Sequence, residues 1–196
     1  MRTRKLNGLL WTVCCAVITT SFYTAAATGQ SRQYINGTMV SIGGRLSRSR
    51  PYSLIVNRYT TPAEVRELND ALQRGGQDEL LRVLSRMDAG RIRIGSGVGV
   101  TANAILAEPW GEGGTKLTVL YERDVRFFEL RYGTRSQDYR IGYAEIFLDR
   151  RGRGEGTLIP AARVRLRDGK TWEVEDFGVY PARLMGLRSS GQAPIG

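Results

Sequence analysis

Residues 144–158 read AEIFLDRRGRGEGTL, and the tract from Asp149 to Thr157 admits two readings. Alternating arginine and glycine resembles an RNA-binding segment. It also fits the tip of a β-hairpin. Strand parity separates the two, because side chains alternate between faces with period two. With Arg150-Arg151-Gly152 as a three-residue loop, Asp149 lies opposite Arg153. Ile146, Leu148, Gly154, Gly156 and Leu158 then share an inner face, while Glu145, Phe147, Arg153, Glu155 and Thr157 share the other. An Asp before the turn and a left-handed Gly152 are what a type I turn followed by a glycine bulge requires. The arginines are therefore residues of a turn, and Gly154 and Gly156 let a neighbouring backbone or a ligand come close.

A second hairpin is expected at Arg167-Asp168-Gly169-Lys170. A two-residue Asp-Gly loop would set Arg165 against Trp172 and Val164 against Glu173, placing apolar beside charged. A three-residue loop of Arg167, Asp168 and Gly169 instead pairs Val164 with Trp172, Ala162 with Val174 and Arg163 with Glu173. Further strands follow from alternation. One is expected from Thr38 to Leu46, and another across Tyr52, Leu54 and Val56. Val98 to Leu106 reads as one strand with even positions inward; Leu117, Val119 and Tyr121 mark the next. Phe128, Leu130 and Tyr132 mark another. The even positions from Leu158 to Leu166 form one more face, and a last strand runs from Val179 to Leu187. Gly95-Ser96-Gly97-Val98-Gly99 lacks the lysine and helix of a phosphate loop and reads as a bend.

The helical signal lies between residues 61 and 88. Thr61-Pro62-Ala63-Glu64 is a capping box with proline at the first helical position, and Val65, Leu68 and Leu72 follow at helical spacing. Arg74-Gly75-Gly76 stops it. Leu80, Leu81, Val83, Leu84 and Met87 define a second apolar stripe from Gln77 onward. The expected fold is α+β: an antiparallel curved β-sheet or β-barrel with an inserted αα-hairpin.

The chain has 196 residues, 41% of them hydrophobic and 24% charged, which suits one globular domain. Residues 1–5 are basic, an apolar run extends from Leu9 to Ala27, and Ala25-Ala26-Ala27 ends it as a small-residue site. This is the pattern of a cleaved signal peptide, 1–27; the run is near the minimum for an uncleaved anchor and carries several Thr and Ser. Both cysteines, Cys14 and Cys15, would leave with it. So would Arg2, Arg4 and Lys5, but no acid, which lowers the formal charge from +10 to +7. The expected organisation is a flexible segment at 28–36, a single domain at 37–188 and a flexible tail at 189–196. The expected location is secreted or periplasmic.

Several chemistries are excluded. The chain contains no histidine, so histidine triads and histidine–metal sites are out. Without a mature cysteine, thiol catalysis goes too. Neither a cofactor nor a metal is expected. Export and a modest charge argue against nucleic acid. The densest cluster of aromatic, cationic and acidic groups is Tyr132, Arg135, Asp138, Tyr139, Arg140 and Tyr143, the candidate ligand site. Arg163, Arg165 and Arg167 form a second candidate, suited to phosphate or sulfate. The expected function is non-enzymatic binding of a small ligand or a cell-envelope component: a lipid, a glycan or another anionic envelope ligand. A carboxylate enzyme built on Asp138 or Glu145, or an interaction module, is the alternative.

Three stretches, TPAEVRELNDALQRGGQDELLRVLSRMDAGRIRIG, RSQDYRIGYAEIFLDRRGRGEGTLIPAARVRL and FGVYPARL, resemble an uncharacterised family of exported bacterial proteins. The resemblance spans roughly residues 52–188. It implies a single domain and a bacterial exported location, and it transfers no site residue.

Overall fold

The computed structural model describes residues 32–41, 49–123, 139–167, 171–176 and 181–190. The hairpin at residues 149–153 forms as parity requires. Gly152 adopts φ 70°, and its N–H donates to Asp149 O at 2.9 Å. Asp149 Oδ1 accepts from the N–H groups of Arg151 and Arg153, both at 2.8 Å, so one carboxylate closes the turn. The strands it joins are β7 (Ile141–Leu148) and β8 (Arg153–Arg167), paired Leu148 with Gly154 and Ile146 with Gly156. The two glycines lie against the β7 backbone: an added Cβ would sit 1.8 Å from Phe147 O at Gly154 and 2.4 Å from Glu145 O at Gly156. The close approach foreseen at these glycines is made by a neighbouring strand.

The other strands are β1 (Gln33–Val40), β2 (Ser49–Val56), β3 (Gly90–Ile94), β4 (Val100–Ala102), β5 (Ala104–Trp110), β6 (Gly114–Glu122), β9 (Thr171–Asp176) and β10 (Ala182–Ser190). All pairings are antiparallel, in the order β4-β3-β2-β1-β10-β8-β7-β6-β5, with β9 beside β8. The fold is α+β, mostly one curved antiparallel sheet. No ladder joins β4 to β5, so the hydrogen-bonded path is open. Its two ends are nonetheless consecutive in the chain, with only Asn103 between them.

That break corrects the expected single strand from Val98 to Leu106. Val98 lies outside any strand and is 82% exposed. Ala102 and Ile105, three residues apart, face the inner core, whereas Ala104 and Leu106 face the opposite layer. Asn103 carries the change of face. Its Nδ2 donates to Met87 O (3.1 Å), and its Oδ1 accepts from the Glu122 N–H (2.7 Å). A similar inversion occurs in β8. Between the pairs Tyr143–Ile159 and Ile141–Ala162, β8 holds one residue more than β7, a bulge at Pro160-Ala161. Leu158 therefore faces the inner core, and Ala162, Val164 and Leu166 the outer layer, in place of the single face expected.

The inner core gathers residues from the whole path, including Ile35, Leu54, Ile92, Ala102, Ile105, Val119, Ile146 and Leu184. Ile35, Leu54, Ile105, Val119, Ile146 and Leu184 have no accessible surface, so no space large enough for water touches them.

The expected αα-hairpin is replaced by one helix, α1 (Pro62–Leu84), whose backbone leaves helical geometry only at Gly75 (φ −138°) and Gly76 (φ 60°). Two glycines break the ladder but supply no loop. Both halves bury their stripes, Leu68, Ala71 and Leu72 and then Leu80, Leu81, Val83 and Leu84, against the outer side of β5–β8. Among the described residues no helix is long and apolar enough to cross a membrane.

Three boundaries also differ. β1 occupies Gln33–Val40, so Gln33–Asn36 belong to the sheet and not to a loose segment. The inward Gln33 disguises this strand; its Nε2 donates to Ser189 Oγ (2.6 Å) and its Oε1 accepts from the Tyr59 hydroxyl. Ser189 and Ser190, expected in the tail, pair with Ile35 and Tyr34. The β8–β9 register lies two residues from expectation: Leu166 faces Trp172, Val164 faces Val174 and Arg165 faces Glu173. Parity, and hence the apolar face, is unchanged, and the loop still has three residues, here 168–170. The observed register keeps two apolar pairs and sets Arg163 and Arg165 opposite Glu175 and Glu173, two opposite-charge cross-strand neighbours in place of one. The expected strand at Phe128–Tyr132 lies outside the described residues.

Replacing Asn103 with Ala removes two bonds and strands a buried Glu122 N–H and Met87 carbonyl. Urea unfolding is expected to show a loss of about 2–4 kcal/mol, against less than about 0.5 kcal/mol for the exposed Glu112→Ala.

Candidate functional site

Of the six residues of the first candidate, Tyr132, Arg135 and Asp138 lie outside the described residues. The other three are Tyr139, Arg140 and Tyr143. The Tyr139 carbonyl accepts from Arg123 Nη1 (3.1 Å), and the Arg140 carbonyl accepts from the Arg123 N–H (2.9 Å). The Arg140 side chain is exposed, 3.7 Å from Glu122. Tyr143 turns to the helix side of the sheet, and its hydroxyl donates to Glu145 Oε1 at 3.3 Å. Burial pushes the Tyr143 phenol well up, with the Glu145 charge adding to it. Glu145 is engaged by Lys116 at 2.9 Å. The Glu145 carboxylate is thus held by an ammonium and a phenol.

The second candidate is assembled more fully. A groove of about 420 Å³ opens between the kink of α1 and β8, lined by Leu72, Gln73, Gly76, Gln77, Arg163, Val164, Arg165 and Leu166. Helix chemistry builds one wall. The Thr61 N–H donates to Glu64 Oε2 (2.8 Å), and the Glu64 N–H donates to Thr61 Oγ1 (3.3 Å), which closes the capping box. Arg58 grips the same carboxylate at 2.9 Å; its hydrogen bond, more than any other cause, holds the Glu64 carboxyl down at about 2. Gly76 then adopts φ 60° and ψ −142°, a combination almost confined to glycine. Beyond it, Gln77 Nε2 donates to Val164 O, and Trp172 Nε1 donates to Asn69 Oδ1 (2.5 Å), which pins both halves of the helix to the β8–β9 ribbon.

The other wall is β8 past its bulge. There Val164 and Leu166 pack on the helix side, and the exposed Arg163 and Arg165 are also among the groove's lining residues. Arg165 is tied to Glu175 at 2.9 Å, whereas Arg163 makes no ion pair among the described residues. The side chain of Arg167 lies outside the described residues. The arrangement offers an apolar floor, amide groups and one uncommitted guanidinium. Sequence reading found these arginines but not the groove, because its far wall depends on a helix kink and a bulge distant in the chain.

No family model matches the chain, and no curated protein or solved structure matches it.

At Gly76 a Cβ would meet nothing within 4 Å, so Gly76→Ala tests backbone conformation alone. Thermal unfolding is expected to show a loss of about 1–3 kcal/mol, with quenching of Trp172 changed as Asn69 moves.

Proposed function

We propose that the chain is a non-enzymatic binding domain for a small ligand or a cell-envelope component, lipid or glycan, acting outside the cytoplasm of a bacterium as a member of an exported family. The observation that carries this reading is the groove between α1 and β8, lined by apolar Leu72, Val164 and Leu166 and by Arg163, which makes no ion pair among the described residues. Its volume falls in the usual range for small-molecule sites. The ligand class it suits best has an apolar body and one anionic group, as a lipid-derived acid or phosphate has. Binding belongs outside the sheet, since the inner core is filled where a barrel lipocalin-style cavity would lie. The sheet is itself read here as a barrel interrupted at Asn103, with the two halves of α1 acting as a shallow helical pair over one side.

Dodecyl phosphate below its micellar concentration is the probe. Calorimetry is expected to show saturable binding, weakened roughly 10–100-fold in Arg163→Gln, the range for one charged hydrogen bond. Dodecyl maltoside should bind more weakly than the phosphate. Absence of saturable binding, or equal affinity in Arg163→Gln, would remove the groove as the site.

A further inference from the structure

The outer face not covered by α1 carries a line of cations. Residues paired directly across antiparallel strands share a face. Arg93 pairs with Ser53, Ser53 with Asn36, Asn36 with Arg188, and Arg188 with Arg153. These five positions run laterally across β3, β2, β1, β10 and β8, a span of roughly 19 Å at ~4.8 Å per strand. One row along, Arg91 pairs with Ile55 and Ile55 with Tyr34, which is 40% exposed.

Two features separate this face from an ordinary solvated one. Strands β1, β2, β3 and β10 contain no Asp or Glu at all. Arg91, Arg93, Arg153 and Arg188 are exposed, and among the described residues none of them makes an ion pair. Most acids on the sheet sit on the other strands, where Glu145, Glu122 and Glu175 pair with Lys116, Arg140 and Arg165; Glu155 of β8 is the nearest described strand acid, two residues from Arg153 on the same face. The arginines of β3 and β10 are thus set apart from the acids of the described strands, and among the described residues their charge is not matched by an ion pair.

We infer that this arginine row is a docking surface for an acidic polysaccharide laid across the strands. The face is the convex side of a curved sheet. A flat bilayer would touch such a face along a narrow contact, whereas a flexible chain can follow it from Arg93 to Arg153. The groups between the arginines, Ser53 and Asn36, with Ser190 beside Tyr34 in the next row, are hydroxyls and an amide suited to sugar hydroxyls. Single-stranded nucleic acid would call for several stacking aromatics, and Tyr34 alone is available on these rows. This surface is separate from the groove and does not depend on it.

Binding of the full chain to alginate, a polyuronate, tests the inference, with uncharged dextran as the blank. Wild type should bind alginate and release it as salt rises. The triple variant Arg93→Gln/Arg153→Gln/Arg188→Gln should bind at least ~10-fold more weakly, while Arg66→Gln/Arg86→Gln, with the same side chain changed on α1 and just past its C-terminus, should stay within ~2-fold. Should the triple variant melt early, Arg93→Gln and Arg188→Gln are read singly, each expected to weaken binding by ~3-fold. Equal binding by wild type and these variants would overturn the inference. So would tighter binding, at equal charge concentration, to a single-stranded oligonucleotide or to phosphatidylglycerol vesicles.

Discussion

Both ends of the only helix among the described residues are fastened to one short stretch of strand. The chain entering α1 is clamped at Thr60, whose N–H donates to Ile105 O and whose Oγ1 accepts from the Ile105 N–H, each at 2.8 Å. The chain leaving α1 is held at Met87 by Asn103, and the Ala89 N–H then donates to Ala102 O at 2.9 Å. The break between β4 and β5 therefore serves three purposes. It changes the face that the strand presents, it connects the two ends of the sheet path, and it moors the helix. A buried amide with two partners across non-local chain is costly to leave unsatisfied, so Asn103 specifies the layer arrangement more than any apolar contact does.

Everything proposed about binding follows from that arrangement. With α1 fixed over β5–β8, the kink at Gly76 stands opposite the bulged part of β8, and the groove is the space between two interrupted elements. Among the described residues, the same placement leaves the outer side of β3, β2, β1 and β10 without a covering helix. Among the described residues, one half of the sheet is thus covered by a helix and carries paired acids, and the other half is uncovered and cationic. Inside, Ile35, Leu54, Ile105, Val119, Ile146 and Leu184 are packed with no accessible surface. The phenols of Tyr52 and Tyr121 are buried there without hydrogen-bond partners, and burial pushes both well above their usual range. Neither is placed to act as an acid or base.

Features with local causes were legible in the sequence. The capping box at Thr61, the left-handed Gly152, the inward faces of β2, β6 and β7, and the hairpin pairing of Glu145 with Thr157 follow from turn chemistry and parity within a few residues. Features with distant causes were not. Nothing near Asn103 announces that its amide will meet Met87 and Glu122, and Gln33 looks like a loop residue until Ser189 and Tyr59 are beside it. The β8–β9 hairpin shows the boundary: parity selected the loop length and the faces, but not which residues occupy the loop. The arginine row was illegible for the same reason. Arg93 and Arg153 become part of one surface only through four lateral pairings that sequence spacing does not reveal.

The layer arrangement depends on the inversion of faces at Asn103, and methyl NOE spectroscopy of Ala102 and Ala104 tests that inversion most directly. The Ala102 methyl is expected to contact inner-core residues such as Leu54 and Ile92, and the Ala104 methyl to contact Leu120 and the leucines of α1. Contacts from both methyls to the same layer would contradict it, since the strand would then run straight and α1 would lose its mooring.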